Sequence, residues 1–247
     1  MKNPTQIKTL AAALLIFSGS LCAAPAMKGA TEMNQQQPVS ETLTARQQAI
    51  PLIAAAMASG QMAKLNAALN QGLDAGLTLS ESKEILVQLY AYAGFPRSLN
   101  GLSELMKVVD ARKARGIQDE EGKAPGPVPV GDELRRVGTE NQTRLSGAPV
   151  QGPLFDFAPV INQFLQAHLF GDIFARDNLD WQSRELATVG ALAAMPGVES
   201  QLLSHMRISL RVGLTASQLR QLAQALRENG ENDAAARAEQ ALQQAQN

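Results

Sequence analysis

Glu185 and His205 are the residues of this 247-residue chain whose types and spacing best suit chemistry. A carboxylate held against an imidazole fixes the ring and tunes it for proton transfer. Both lie in the stretch Asp180–Leu214, which reads as two antiparallel helices joined at Met195-Pro196-Gly197. At roughly 1.5 Å per residue, Glu185 (about 11 residues before the turn) and His205 (about 8 after it) differ by about 4–5 Å along the hairpin axis. Packed helices lie roughly 8–10 Å apart, so the two side chains can meet directly or through one water. A lone histidine near Leu202 and Ile208 is also compatible with plain packing, and composition leaves both readings open.

The elements that must hold this pair are marked by local signals. Asp180 is a suitable N-cap, and Glu185 lies near the positive end of the helix it opens. Leu186, Val189, Leu192 and Ala193 recur at helical spacing. Pro196 and Gly197 stop that helix, and Gly213 is the expected glycine at the end of the next. Thr215 then caps a third helix.

The wider composition suits a helical core built from small residues: 45% of the chain is apolar and only 4% aromatic. A formal net charge of −1 gives no electrostatic case for nucleic acid. No later apolar run approaches the roughly 18 residues of a membrane span. Near the N-terminus, Lys2 and Lys8 precede the apolar run Leu10–Phe17, and Ala24-Pro25-Ala26 offers an A-x-A-type cleavage site, with Cys22-Ala23-Ala24 as a second option. Residues 1–26 are therefore expected to be a signal peptide and the mature protein to be periplasmic. The single cysteine, Cys22, would leave with that segment. The mature chain would then have no disulfide, no thiol nucleophile and no cysteine-ligated metal, and the two histidines form no metal-ligand spacing. No cofactor and no metal are expected. His168 has no visible partner in the sequence.

Read in order, residues 27–43 form a flexible leader, and 44–115 carry four helices. Thr44 opens the first, which Pro51 should kink or divide. Thr78 or Ser80 caps the third, and the fourth spans Arg97–Arg115. Residues 116–131 are a Pro- and Gly-rich linker. Residues 132–247 hold a short helix weakened by Gly138, an apolar helix over Asp156–Phe174, the Asp180–Leu214 hairpin and two final helices. An internal repeat relates the two parts. Leu65–Ile85 parallels Leu202–Leu222 around Gly-Leu-Thr at 76–78 and 213–215. Ala68 takes the place of His205, and Gln47 that of Glu185. The first copy thus reads as structural and the second as potentially active.

The ordered set Phe170-Gly171-Asp172-Ile173-Phe174-Ala175-Arg176, Leu179-Asp180, Arg184-Glu185-Leu186, Leu192-Ala193-Ala194, Leu202, His205 and Gly213-Leu214-Thr215 resembles the carboxymuconolactone decarboxylase family. Tyr92-Ala93-Gly94-Phe95-Pro96 in the first copy resembles it as well. The resemblance implies an all-α fold of two alkylhydroperoxidase-like repeats built from antiparallel helical hairpins, and a homo-oligomer, here a trimer. The family's peroxidase branch uses a Cys-x-x-Cys pair ahead of the histidine. Val198 and Gln201 stand at those positions here, and about Gln61 and Lys64 in the first copy, so a peroxidase is the least favoured reading. The decarboxylase branch implies loss of a carboxylate from a small lactone with proton delivery by an acid. By that resemblance His205 would be the proton donor or acceptor and Glu185 its orienting partner. Arg184, Arg207 and Arg211 are candidate anion contacts, and Trp181 and Phe174 candidate pocket walls. The expected partner is a small carboxylate or lactone. A non-catalytic oligomeric scaffold that binds small molecules is the alternative.

Overall fold

The structure is a computed structural model that describes residues 40–247. The expected signal peptide, Cys22 and most of the leader lie outside the described residues. The described chain is all-α. The first helices are α1 (Ala45–Ser59), α2 (Met62–Asp74), α3 (Leu79–Gln88), the short α4 (Tyr90–Ala93) and α5 (Phe95–Ala114). After residues 115–131 come α6 (Asp132–Ser146), the short α7 (Pro153–Phe157) and α8 (Pro159–Phe164). α8 passes directly into a π-helical stretch, Leu165–Ile173. α9 (Trp181–Ala194), α10 (Glu199–Arg211), α11 (Ala216–Glu228) and α12 (Asn232–Ala245) complete the fold.

The helix starts follow their caps. The Thr44, Thr78 and Thr215 hydroxyls accept from the amides of Gln47, Glu81 and Gln218, and each of those residues bonds back to the cap amide. Asp180 accepts from the Ser183 amide. Helix ends at Gly60 (φ 75°) and Gly213 (φ 96°) use the left-handed backbone that glycine adopts without a Cβ penalty. The starts Met62, Leu79 and Phe95 stand one constant interval before the starts Glu199, Ala216 and Asn232.

Two glycines resolve what local reading mistook for weakness. Pro51 does not divide α1, which runs unbroken through it. α1 makes its most extensive contact with α9. A Cβ at Gly190 would lie 2.6 Å from the Pro51 carbonyl oxygen, so the bare glycine lets the two backbones touch. Likewise Gly138 does not weaken α6. A Cβ there would lie 1.8 Å from the Gln166 carbonyl oxygen, so α6 and the π-helical stretch cross at this point. The single helix expected over Asp156–Phe174 is instead α7, α8 and the π-helical stretch, and the third helix stops at Gln88, short of α4.

One large apolar core joins α1, α2, α3 and α5 with α9–α12. A smaller core gathers Leu145, Leu169, Phe170, Ile173, Phe174 and Ile208. Tyr92 packs against both. The linker is docked rather than free: the Leu79 and Ser80 amides donate to the Glu120 and Glu121 carbonyls at 2.8 and 2.9 Å. No helix of the described residues is long and apolar enough to cross a membrane.

Candidate acid–base site

Glu185 lies one turn inside α9, and His205 lies midway along α10. The hairpin turn sets these helices antiparallel, and the two side chains meet between them. His205 Nδ1 is 2.9 Å from Glu185 Oε2. Glu185 is fully buried, and the His205 side chain keeps 10% of its surface accessible. A carboxylate on Nδ1 fixes the ring plane and leaves Nε2 as the nitrogen that exchanges protons. Nε2 has no hydrogen-bond partner among the described residues. The pair therefore has a buried, anchoring side and a free proton-transfer side.

Tyr92, from α4, forms the third wall. Its ring meets the imidazole edge-on, with centroids 5.3 Å apart and planes at 79°. This geometry sets the positive ring edge of one aromatic against the face of the other. The Tyr92 hydroxyl is buried and has no hydrogen-bond partner, and the same holds for Glu185 Oε1. Burial pushes the Tyr92 phenol far above its ordinary range, and the Glu185 carboxylate pushes it further. Both effects favour the protonated phenol, the form that can donate a hydrogen bond.

The other expected site residues are spread differently. Arg184 is fully buried and does not reach the pair as an anion contact. Its guanidinium donates to Glu84 Oε1 at 2.8 Å, to Gln88 Oε1 at 3.0 Å and to the Arg176 carbonyl at 2.9 Å. Arg176 and Asn178 also donate to Glu84. Burial pulls the Arg184 guanidinium below its ordinary value, opposed by the facing Glu84 carboxylate. Arg207 is exposed on α10. Trp181 is half-buried; its indole donates to the Phe174 carbonyl at 3.1 Å, and the Arg144 guanidinium lies 4.8 Å above the ring. Trp181 lines two adjoining clefts of about 500 and 420 Å³, together with Arg144 and Asp180; Phe174 lines the larger and Arg211 the smaller. Glu185 and His205 line neither. His168 does have a partner: Nδ1 is 2.6 Å from Asp172 Oδ2, one turn on along the exposed side of the π-helical stretch. In the first hairpin, Gln47 closes the α1 capping box and Ala68 is a buried packing residue of α2. Among the described residues, no three His, Cys, Asp or Glu side chains converge as a metal site.

Two features of the site had no local signal. Tyr92 stands more than a hundred residues before His205, and nothing in its own segment points to an imidazole. Glu84 reads as an ordinary helix glutamate until α9 is laid beside α3.

Residues 159–246 match the model of the Carboxymuconolactone decarboxylase family. The match bears out the suspected family over this segment, which carries both Glu185 and His205. Tyr92, Glu84 and Arg144 fall outside the matched residues. No curated protein matches the chain.

Proposed function

We propose that the protein is a cysteine-independent acid–base lyase acting on a small carboxylated lactone or related cyclic acid. The observation that carries this reading is the buried Glu185–His205 pair at 2.9 Å with Nε2 left free. In the proposed step the substrate's carboxylate carbon–carbon bond breaks and carbon dioxide leaves. The bonding pair passes into the conjugated ring system as an enolate, and the imidazolium Nε2–H delivers a proton to carbon. Glu185 compensates the charge His205 carries while protonated and holds Nε2 outward. His205 then regains its proton from solvent. The cysteine-free described chain supports this over thiol-based peroxide reduction.

The test is carbon dioxide release from a panel of carboxylated lactones and cyclic acids by the wild-type protein and by His205→Ala. Release by wild type alone supports the reading. Equal release by both removes His205 from the mechanism. No release from any member favours the second reading, a small-molecule-binding scaffold. That reading draws on the clefts at Trp181, which are lined without the pair.

Three further proposals accompany this function. The constant interval between helix starts supports two helical repeats, 44–115 and 132–247, joined by 116–131. The exposed Leu154, Phe157 and Phe164 on α7 and α8 support a homo-oligomer, taken as a trimer. The charged, apolar and small-residue order of residues 1–26 supports export to the periplasm.

A further inference from the structure

The Glu185 carboxylate is buried, yet only Oε2 has a donor. A buried carboxylate with one oxygen unserved is costly, because desolvation is then incompletely compensated. The Tyr92 hydroxyl is also buried and unserved, and it is a donor. The two orphaned groups are complementary, and both belong to side chains that touch or bond the same imidazole. The charged groups acting on the phenol are Glu185 and Arg184, both on α9. The Thr188 hydroxyl lies close enough to the phenol to oppose the rise in its pKa, but it forms no well-aligned hydrogen bond with it: Thr188 donates to the Arg184 carbonyl and accepts from Gln88.

We propose that Tyr92 is a positioning residue for the Glu185–His205 pair, its hydroxyl serving as the second hydrogen-bond donor to Glu185 through Oε1. The link is made after a small side-chain rotation or across one water molecule. With two donors, the carboxylate is held in one plane, and the imidazole it anchors is held with it. The phenol donates and does not ionise, so it orients without competing for the proton that His205 moves. The proposal rests on reading Glu185–His205 as the acid–base pair, and it brings a residue from outside the family-matched segment into that site.

The test needs no substrate, so it separates this proposal from the choice of reaction. The chain has two histidines and two tyrosines, which makes selective labelling decisive. In nitrogen-15 histidine spectra of the full chain, Tyr92→Phe keeps the ring edge but removes the donor. The Nδ1 proton of His205 should move downfield, because a carboxylate with one donor fewer accepts more strongly from the other. The His168 signals should not move. In a Glu185→Gln background the same Tyr92→Phe change should leave His205 where it is. An unmoved His205 signal, or an equal displacement in both backgrounds, would overturn the proposal. Should Tyr92→Phe fail to fold, carbon-13 tyrosine labelling of Glu185→Gln gives an independent readout. At neutral pH the Tyr92 Cζ signal should shift from its wild-type position, because the phenol has lost its carboxylate acceptor, while Tyr90 is unchanged; an unmoved Tyr92 signal would count against the link. If Glu185→Gln leaves the His205 ring signals untouched, the acid–base pair itself fails, and with it the proposed function.

Discussion

The α1–α2 and α9–α10 hairpins have nearly the same dimensions and opposite contents. Their leading helices have 15 and 14 residues, and both following helices have 13. In the first, the facing positions hold packing and capping groups: Ala68 is buried and Gln47 closes a cap. In the second, a carboxylate and an imidazole occupy the space between helices. Each leading helix also ties an arginine near its start to a glutamate of α3. Arg46 pairs with Glu81 at the part-exposed surface, whereas Arg184 pairs with Glu84 in full burial. The same architecture thus carries charge on its outside in one hairpin and in its interior in the other. Only the second arrangement keeps ionisable groups where water is scarce enough to make their geometry matter.

The sharpest way to break this comparison is to cut each arginine–glutamate tie. Glu84→Gln leaves the Arg184 charge buried without its carboxylate and should cost about 3–5 kcal/mol in equilibrium unfolding. Replacing both partners by Leu at 84 and Met at 184 should restore much of that loss. Arg46→Met, which removes a part-exposed pair, should cost at most about 1 kcal/mol. Equal losses at the two ties would mean that burial does not distinguish the hairpins.

A smaller effect is expected where the hairpins touch. Gly190→Ala places a methyl group against the Pro51 backbone, which cannot rotate aside as a side chain can. Thermal or denaturant unfolding should show a loss of about 1–3 kcal/mol. An unchanged midpoint would show that the α1–α9 contact relaxes easily.

The smallest effect concerns the two turns. The Gly60 turn is closed by backbone bonds from Gly60 and Gln61 to the end of α1. In the Pro196-Gly197 turn, the Glu199 carboxylate accepts from the Gly197 amide at 2.9 Å, and that bond holds its carboxyl below the ordinary value. A carboxyl depressed in the folded state contributes stability that is present above its unfolded value and lost as pH falls through the folded one. Hydrogen exchange of the Gly197 amide should therefore lose protection on acidification beyond the intrinsic pH dependence of exchange. Glu199→Gln should remove that response, and the Gly60 turn should show none. A matching response at Gly60 would erase the contrast.

Much of the frame was legible from short-range chemistry. Thr44, Asp180 and Thr215 announce helix starts because a side-chain oxygen three residues ahead of an amide is a local arrangement. Gly60, Gly197 and Gly213 announce ends for the same reason. The meeting of Glu185 and His205 was legible because a tight turn makes the register of two helices almost a matter of counting. What stayed hidden depends on partners far along the chain. Pro51 and Gly138 look like interruptions until Gly190 and the Gln166 carbonyl are seen against them. Arg184 looks like a free cation near a candidate site, and only Glu84 and Gln88, about a hundred residues earlier, make it an internal tie. The π-helical stretch has the composition of an ordinary apolar helix, and its widened turns match the place where α6 crosses it.

The Arg184–Glu84 tie also constrains how the sequence can be altered. A charge buried on α9 is tolerable only while its opposite persists on α3. Neither side chain can be replaced alone without leaving a stranded ion, so a change at one position calls for a matching change at the other. This contact ties α3 to α9, so the half without the acid–base pair helps to hold in place the helix that carries Glu185.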